Sequence, residues 1–298
     1  MKRVCLVSPG HVGSNPRLVK EANSLHAAGY QVRVVAGDYM AEVRPLDAAI
    51  LSEVDWAWVQ VGLGSRLDYL SRRIRQELSR KLAQMLPHLT WAVWAHSPIS
   101  DRLAKAAMAE PADLYIAHCL AALPAAAIAA KYHHARLGFD AEDFHIGELE
   151  QTPENQAEIR VRDRIERTLL PHCDHLTAAS PGIANAYAKR YGVGMEPILN
   201  VFPLSEAPDL PPKQSRTVPS LYWFSQTIGA GRGIEAIVQA MGQMQTPVEL
   251  YLRGIPANGY VDYLMQLATS MNLHDRIHFL PSAPPPEMVK LAAQHDIG

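Results

Sequence analysis

The sequence is short of cysteine, of excess charge and of long apolar runs, and each shortage excludes something. Three cysteines occur in 298 residues, Cys5, Cys119 and Cys173, odd in number and far apart. They exclude a disulfide scaffold and make a reducing cytoplasm the expected compartment. The formal net charge is −2, so no overall basic field exists to attract nucleic acid, and no nucleic-acid partner is expected. The start Met-Lys-Arg leads into only four apolar residues, Val4 to Val7, before Ser8-Pro9-Gly10. That is too short for a signal-peptide core, and no stretch approaches the ~18 apolar residues of a membrane span. Internal repeats and low-complexity tracts, beyond some proline and alanine, are also lacking. What remains is ordinary globular composition, 48% hydrophobic and 19% charged, which excludes disorder. At ~150 residues per domain the length predicts two domains.

Short apolar runs alternate with helical periodicity. Arg3–Ser8 reads as a strand, Pro9–Ser14 as a turn, Pro16–Ala28 as a helix and Gln31–Ala36 as a second strand. Asn15 suits the N-cap, Pro16 the first helical position and Gly29 the stop. This is a βαβ unit, and such units build parallel sheets. The alternation continues with strand Asp113–His118, helix Leu123–Tyr132, strand Ala135–Phe139, helix Pro153–Leu170, strand His175–Ala178, a helix from Ser180-Pro181 to about Arg190, and strand Ile198–Phe202. One doubly wound domain over 1–204 is expected. The prolines from Pro203 to Pro212, with Pro219, break any helix or central strand, so 205–219 is expected to be a linker. Alternation restarts over 220–298: strand Leu221–Ser225, glycine turn, helix Ile234–Met244, strand Val248–Leu252, helix Tyr260–Met271, strand Arg276–Leu280 and helix Pro286–Ala293. Asp296-Ile297-Gly298 reads as the opening of a fourth strand, so this second domain is expected to be incomplete, the first half of a nucleotide-binding sheet.

Four segments carry chemistry. Gly229-Ala230-Gly231-Arg232-Gly233 lies between a strand and a helix. Glycines there let backbone N–H groups face an anion, the helix dipole adds positive charge, and Arg232 offers a fork of donors. Arg253, after the next strand, falls on the same sheet edge. The turn around Gly10 and Gly13 is a similar junction but lacks the Gly-x-Gly-x-x-Gly fingerprint, and is read equally as a ligand loop or a plain turn. Asp38, after the second strand, is a weak ribose candidate. Phe139-Asp140-Ala141-Glu142-Asp143-Phe144-His145 places three carboxylates and a histidine after a strand, suited to binding sugar hydroxyls or moving protons. Asp140, Glu142, Asp143 and His145, with His96 and His118, are the catalytic candidates. The opposing reading is a solvated acidic loop. No metal site is expected: His172-Cys173-Asp174-His175 lacks a second ligand pair. The fourth segment is the helix over Arg66–Leu86. Its apolar residues Leu67, Leu70, Ile74, Leu78, Leu82 and Met85 share one face, while Arg66, Arg72, Arg73, Arg75, Arg80 and Lys81 outweigh Asp68 and Glu77 by four charges. Either this helix packs with a solvated basic face, or it makes peripheral contact with anionic lipid at the inner membrane face.

Two tandem α/β domains joined by a proline-rich linker resemble GT-B glycosyltransferases, in particular the retaining, nucleotide-sugar-dependent family 4. The likeness covers essentially the whole chain. Lys2–Ala36 is similar to that family's first βαβ unit, Asn200-Val201-Phe202-Pro203-Leu204 to its entry into the linker, and Phe224 through Ile237 to its diphosphate-binding motif. Arg276–Leu280 through Pro286-Glu287-Met288 resembles the segment beside the donor's base. The resemblance implies a fold of two Rossmann-like domains, retention of configuration, a UDP- or GDP-linked sugar as substrate, no cofactor, and a sugar or lipid-linked acceptor held by the first domain. Two departures stand out. Gln226 occupies the place of the family's first basic residue and Arg232 that of its lysine. The family's Glu-x7-Glu segment would lie beyond Gly298. The expected function is therefore glycosyl transfer. The alternatives are an NAD(P)-dependent oxidoreductase with Arg253 reading a 2′-phosphate, or a truncated, non-catalytic binding form.

Overall fold

Seven segments of the first two hundred residues pair as parallel strands: β1 (Arg3–Ser8), β2 (Gln31–Asp38), β3 (Ala57–Gly62), β4 (Leu114–His118), β5 (Arg136–Ala141), β6 (His175–Ala178) and β7 (Glu196–Pro197), in the order β3-β2-β1-β4-β5-β6-β7. They belong to a computed structural model that describes residues 1–86, 88–208, 217–284 and 287–298. Among the described residues eight helices accompany the sheet: α1 (Pro16–Ala27), α2 (Arg44–Leu51), α3 (Arg66–Met85), which packs on other helices, α4 (Leu89–His96), α5 (Ser100–Met108), α6 (Leu123–Tyr132), α7 (Gln156–Leu169) and α8 (Pro181–Tyr191). Alternate residues of β1 feed two cores. Val4 and Leu6 pack with Leu18 and Trp56 on one face, and Cys5 and Val7 with Leu103, Tyr115 and Phe139 on the other. Burial on both faces is why these strands read as near-continuous apolar runs. These elements form one compact unit, Met1–Asn200.

The second unit, Val201–Gly298, holds β8 (Ser220–Ile228), α9 (Ile234–Gln243), β9 (Glu249–Pro256), α10 (Tyr260–Ser270), β10 (Ile277–Leu280) and α11 (Met288–Ala292). Its parallel sheet runs β10-β9-β8 over a core of Ile228, Val238, Leu252 and Leu264. Ile297 bridges Leu221 in parallel, and Tyr222 N–H donates to Ile297 O at 2.7 Å, so the chain at 296–297 lies along β8 on the side away from β9.

Several elements differ from the sequence reading. The strand expected at Ile198–Phe202 is not formed: β7 pairs with the last two residues of β6, Thr177 and Ala178, and ends at Pro197, and Ile198, Leu199, Val201 and Phe202 are exposed. The helix expected from Pro153 starts at Gln156. Unforeseen are α2, the edge strand β3 and the helices α4 and α5. The sequence LTWAVWAH of α4 is apolar on all sides and shows no helical stripe. The centre of the expected linker, 209–216, and Pro286 lie outside the described residues. Among the described residues no helix is long and apolar enough to cross a membrane.

Candidate functional site

In an open α/β sheet a ligand crevice forms at the carboxyl ends of the strands where strand order reverses. In the first unit the reversal lies between β1 and β4. Four pieces of chain meet there: the β1–α1 turn, the end of β4, the loop after β5 and the end of β6.

The turn is fixed from below. His11 is fully buried; its Nδ1 lies 2.6 Å from Asp47 Oδ2, and its Nε2 accepts the N–H groups of Tyr39 (2.9 Å) and Met40 (2.7 Å). Asp47 also accepts from Gly13 N (2.7 Å) and Gln60 Nε2 (2.8 Å). A Cβ on Gly13 would meet Leu46 at 2.8 Å, so this glycine is required by close packing, whereas Gly10 has room. Gly37 is the tighter case: a Cβ there would lie 2.2 Å from Pro9 O. Asn15 Oδ1 caps α1 through Leu18 N (2.9 Å), and its Nδ2 reaches Glu142 (2.6 Å).

At the second position of α1, Arg17 projects across the sheet edge. Its guanidinium grips both oxygens of Asp140, with Nη2 at 2.7 Å from Oδ1, and donates to Ile198 O. Thr177, from β6, donates to the same carboxylate. Burial alone would raise the Asp140 carboxyl, but Arg17, His118 and Thr177 hold it below the usual range. His118, at the end of β4, has no exposed surface. Its Nδ1 is 3.0 Å from Glu142 Oε1 and 3.5 Å from Asp140 Oδ2, and its Nε2 is 2.8 Å from Glu21 Oε2. Burial opposes charge on this ring, but Glu142, Glu21 and Asp140 outweigh it and lift the pKa to about 9. His118 is therefore an imidazolium at neutral pH, a donor rather than a base. Glu142 is held below its usual range, against its burial, by His118 and Asn15. Asp143 differs: the residue is exposed, has no ion-pair partner among the described residues, and partial loss of solvent around its carboxyl, with Glu148 and Glu142 nearby, raises its pKa. It is the one carboxyl here shifted toward holding a proton.

Two sequence candidates stand outside this cluster. His145 lies beneath it: its Nε2 accepts Leu120 N–H (3.2 Å) and its Nδ1 is 2.8 Å from the Tyr187 hydroxyl, which donates to the fully buried Glu166 (2.6 Å). It braces the turn after β4, where Cys119 takes φ +63° and ψ 156°, a region almost reserved for glycine. His96 ends α4 and pairs with Glu158 of α7 at 2.8 Å. Glu21, Thr177, Asp47 and Gly37 were not singled out from sequence; only Glu21 left a signal, sitting four residues after Arg17 on the same helical face. Glu21, His118 and Asp140 are also close enough to share a metal ion, but Arg17 already takes both oxygens of Asp140. Asp174 of the HCDH segment is engaged by Leu137 N at 3.1 Å.

In the second unit the β8–α9 turn is nearly bare. Gly231 (φ +75°) and Gly233 (φ +77°) are left-handed, nothing lies within 4 Å of a Cβ at either, and α9 has no side-chain cap. The first N–H groups of α9 thus face outward. The pairing of β8 with β9 slips between Phe224 and Thr227, leaving Gln226 exposed and Ser225 as acceptor for Arg232 Nη1 (3.0 Å). Gly254 (φ +150°) fits under the slip: a Cβ would lie 2.3 Å from Ser225 O. Arg253 is less available than its position suggested, because its Nε donates to Tyr222 OH and its Nη1 to Pro281 O, each at 2.7 Å.

A search of curated protein sequences returns no match. Solved structures do match. Anabaena HepE in complex with UDP-glucose superposes with TM-score 0.66 at 17% identity, covering 97% of this chain and 71% of that one. Sucrose-phosphate synthase from Thermosynechococcus elongatus superposes with TM-score 0.65 at 15% identity over 98% and 74%. The lipopolysaccharide outer core galactosyltransferase WaaB gives 0.57 at 12% over 97% and 71%. At these identities the likeness is one of fold, the two-domain GT-B arrangement. The family profile of the glycosyl transferase 4-like domain matches residues 12–202, a span that takes in the whole Arg17–His118–Asp140–Glu142 cluster, and this chain belongs to that family of glycosyltransferases.

Proposed function

We propose that this glycosyltransferase takes its sugar from a UDP- or GDP-linked donor whose diphosphate rests on Gly229–Gly233. The observation that carries this reading is the open glycine turn: two left-handed glycines with free space above them, an uncapped helix start, and Arg232 beside them. Backbone N–H groups and the α9 dipole would neutralise the charge that grows on the departing nucleotide, so the site favours the transition state over the bound donor. No metal is needed for that step, and no cofactor. Gln226 sits in the slipped part of β8 within the same motif, and Arg253 contributes its remaining donors. The oxidoreductase alternative falls with the match of residues 12–202 to a glycosyl transferase 4-like domain.

The acceptor, a sugar or lipid-linked sugar, would lie against the Arg17–His118–Asp140–Glu142 cluster. A hydroxyl-rich ligand can donate to the partly exposed Glu21 and Glu142 carboxylates, which the buried His118 imidazolium holds in place, and Asp143 is placed to exchange a proton with a hydroxyl. The reducing compartment expected for three unpaired thiols is also where nucleotide sugars are made and held, so the cytoplasm is the proposed site of action. Titration calorimetry tests the donor assignment. UDP or GDP binds, and Arg232→Ala weakens it by more than ~1 kcal/mol, the scale of one charged hydrogen bond, with melting unchanged because Arg232 is exposed. Unaltered affinity in the variant removes Arg232 from the site.

A further inference from the structure

Helix α3 is folded inside out. Its buried residues are Gln76 and Ser79. Gln76 donates to Ala95 O at 3.2 Å, Arg72 and Arg75 both reach Asp101, and the Arg75 guanidinium lies 5.0 Å from the Trp94 ring. Two of the arginines that gave the helix its basic character in the sequence are therefore spent inward. The apolar stripe faces out: Leu67 is 79% and Met85 78% exposed, and Leu70, Ile74 and Leu78 are each more than half exposed. At 1.5 Å per residue the stripe from Leu67 to Met85 runs ~27 Å, with Leu82 half-buried near its end. An exposed apolar strip of that length on one helix marks a surface that meets something. The exposed charges along it are Arg66, Arg73, Arg80 and Lys81 against Asp68 and Glu77.

A second feature adjoins the helix's C-terminal end. A cavity of about 480 Å³ opens between Ala83, Leu86 and His88 on one side and Arg160, Arg164 and Arg167 of α7 on the other. The three arginines, spaced four and three apart, project from one face of α7. Arg167 is held by Asp163 at 2.8 Å, but the guanidinium groups of Arg160 and Arg164 have no hydrogen-bond or ion-pair partner among the described residues. An apolar strip continuous with a cavity holding two unsatisfied guanidiniums matches an anionic amphiphile, acyl chain against the strip and phosphate in the cavity.

We propose that α3 and this cavity dock the protein on a membrane surface rich in anionic phospholipid, with α3 lying in the interfacial layer and Arg160 and Arg164 taking headgroup phosphates. Charge selects lipid over a second copy of the chain: a two-fold pairing through this face would bring its net positive charge against itself. Docking here uses none of the residues assigned to donor or acceptor, so it can fail or hold independently of the glycosyl-transfer reading.

The test is co-sedimentation with vesicles of phosphatidylcholine alone or mixed with phosphatidylglycerol. The protein is expected to bind the mixed vesicles and not the neutral ones, with binding lost in high salt. Arg160→Gln with Arg164→Gln should lower the anionic partition roughly thirtyfold, the factor for two basic residues near an anionic surface. Ile74→Glu with Leu78→Glu should abolish it. All four side chains are exposed, and an unchanged circular dichroism melt shows that the variants fold. Equal binding to both vesicle types, no binding to either, or variants that partition like the parent would each overturn the proposal. So would a dimer that Ile74→Glu with Leu78→Glu splits in light scattering, or capture of free glycerol phosphate with no vesicle binding.

Discussion

Strand order reverses in both sheets, once between β1 and β4 and once at β8, where β9 lies on one side and Ile297 on the other. The two places are furnished in opposite ways. At the first, charged side chains from four segments interlock until nearly every donor and acceptor has a protein partner. At the second, glycine keeps side chains away and leaves backbone N–H groups facing outward. The first arrangement suits a neutral, hydroxyl-bearing ligand that trades hydrogen bonds one for one; it responds to pH and depends on folding to hold its charges together. The second suits an anion, works through fixed dipoles, and has little in it that titrates near neutrality.

The contrast is broken most severely at Arg17. Arg17→Ala leaves the Asp140 carboxylate buried without its guanidinium, and urea unfolding should show a loss of about 3–5 kcal/mol, the range for removing one member of a buried pair. A loss below ~1 kcal/mol would mean that the cluster is hydrated and open. The glycines give the next largest effect and sharpen the comparison within the second unit. Gly254→Ala drives a Cβ into Ser225 O and holds alanine at φ +150°, so destabilisation of about 2–3 kcal/mol is expected. Gly231→Ala meets no atom and should lose only the ~1 kcal/mol of a left-handed alanine, while donor affinity falls further because the turn is no longer bare. Similar melting losses in the two variants would contradict the open-turn geometry.

A pH dependence also separates the two places. His118 is raised from 6.5 to about 9 in the folded state, so its contribution to stability is complete below about 6.5 and is lost as pH climbs through about 9. Asp140 and Glu142 are lowered, so theirs is present above the ordinary carboxylate range and is lost on acidification. Chemical denaturation across pH should show stability falling on the alkaline side, and His118→Gln should flatten that limb. Donor binding to the second unit should stay level over the same range. An alkaline limb that persists in His118→Gln would assign it to another group.

What the sequence reveals of these places follows the same divide. The glycine turn at 229–233 is legible because its left-handed glycines lie close together in the sequence, and β1, β4 and β5 are legible because strands covered on both faces become apolar runs. The first cluster is only half legible. The acidic loop after Phe139 advertises itself, but the partner that fixes Asp140 lies 123 positions away at Arg17, and Thr177 and Asp47 look like any polar residue. His145 illustrates the cost of reading locally: it follows the acidic loop in sequence yet folds beneath the cluster as a brace. Helix α3 misleads for a physical reason. Its stripe has helical spacing, which identifies the helix, but spacing alone cannot say which side the protein covers, and here Asp101 draws the arginines in while the leucines stay out.

At Cys119 the main chain occupies a conformation that L residues adopt only under compulsion, a distortion of about 1–3 kcal/mol. The compulsion comes from below, through the ring of His145 and the tyrosine–glutamate pair behind it. Stiffness under the imidazolium is therefore installed as the polypeptide folds, and the sheet edge of the first unit is held in one shape whether or not anything is bound there.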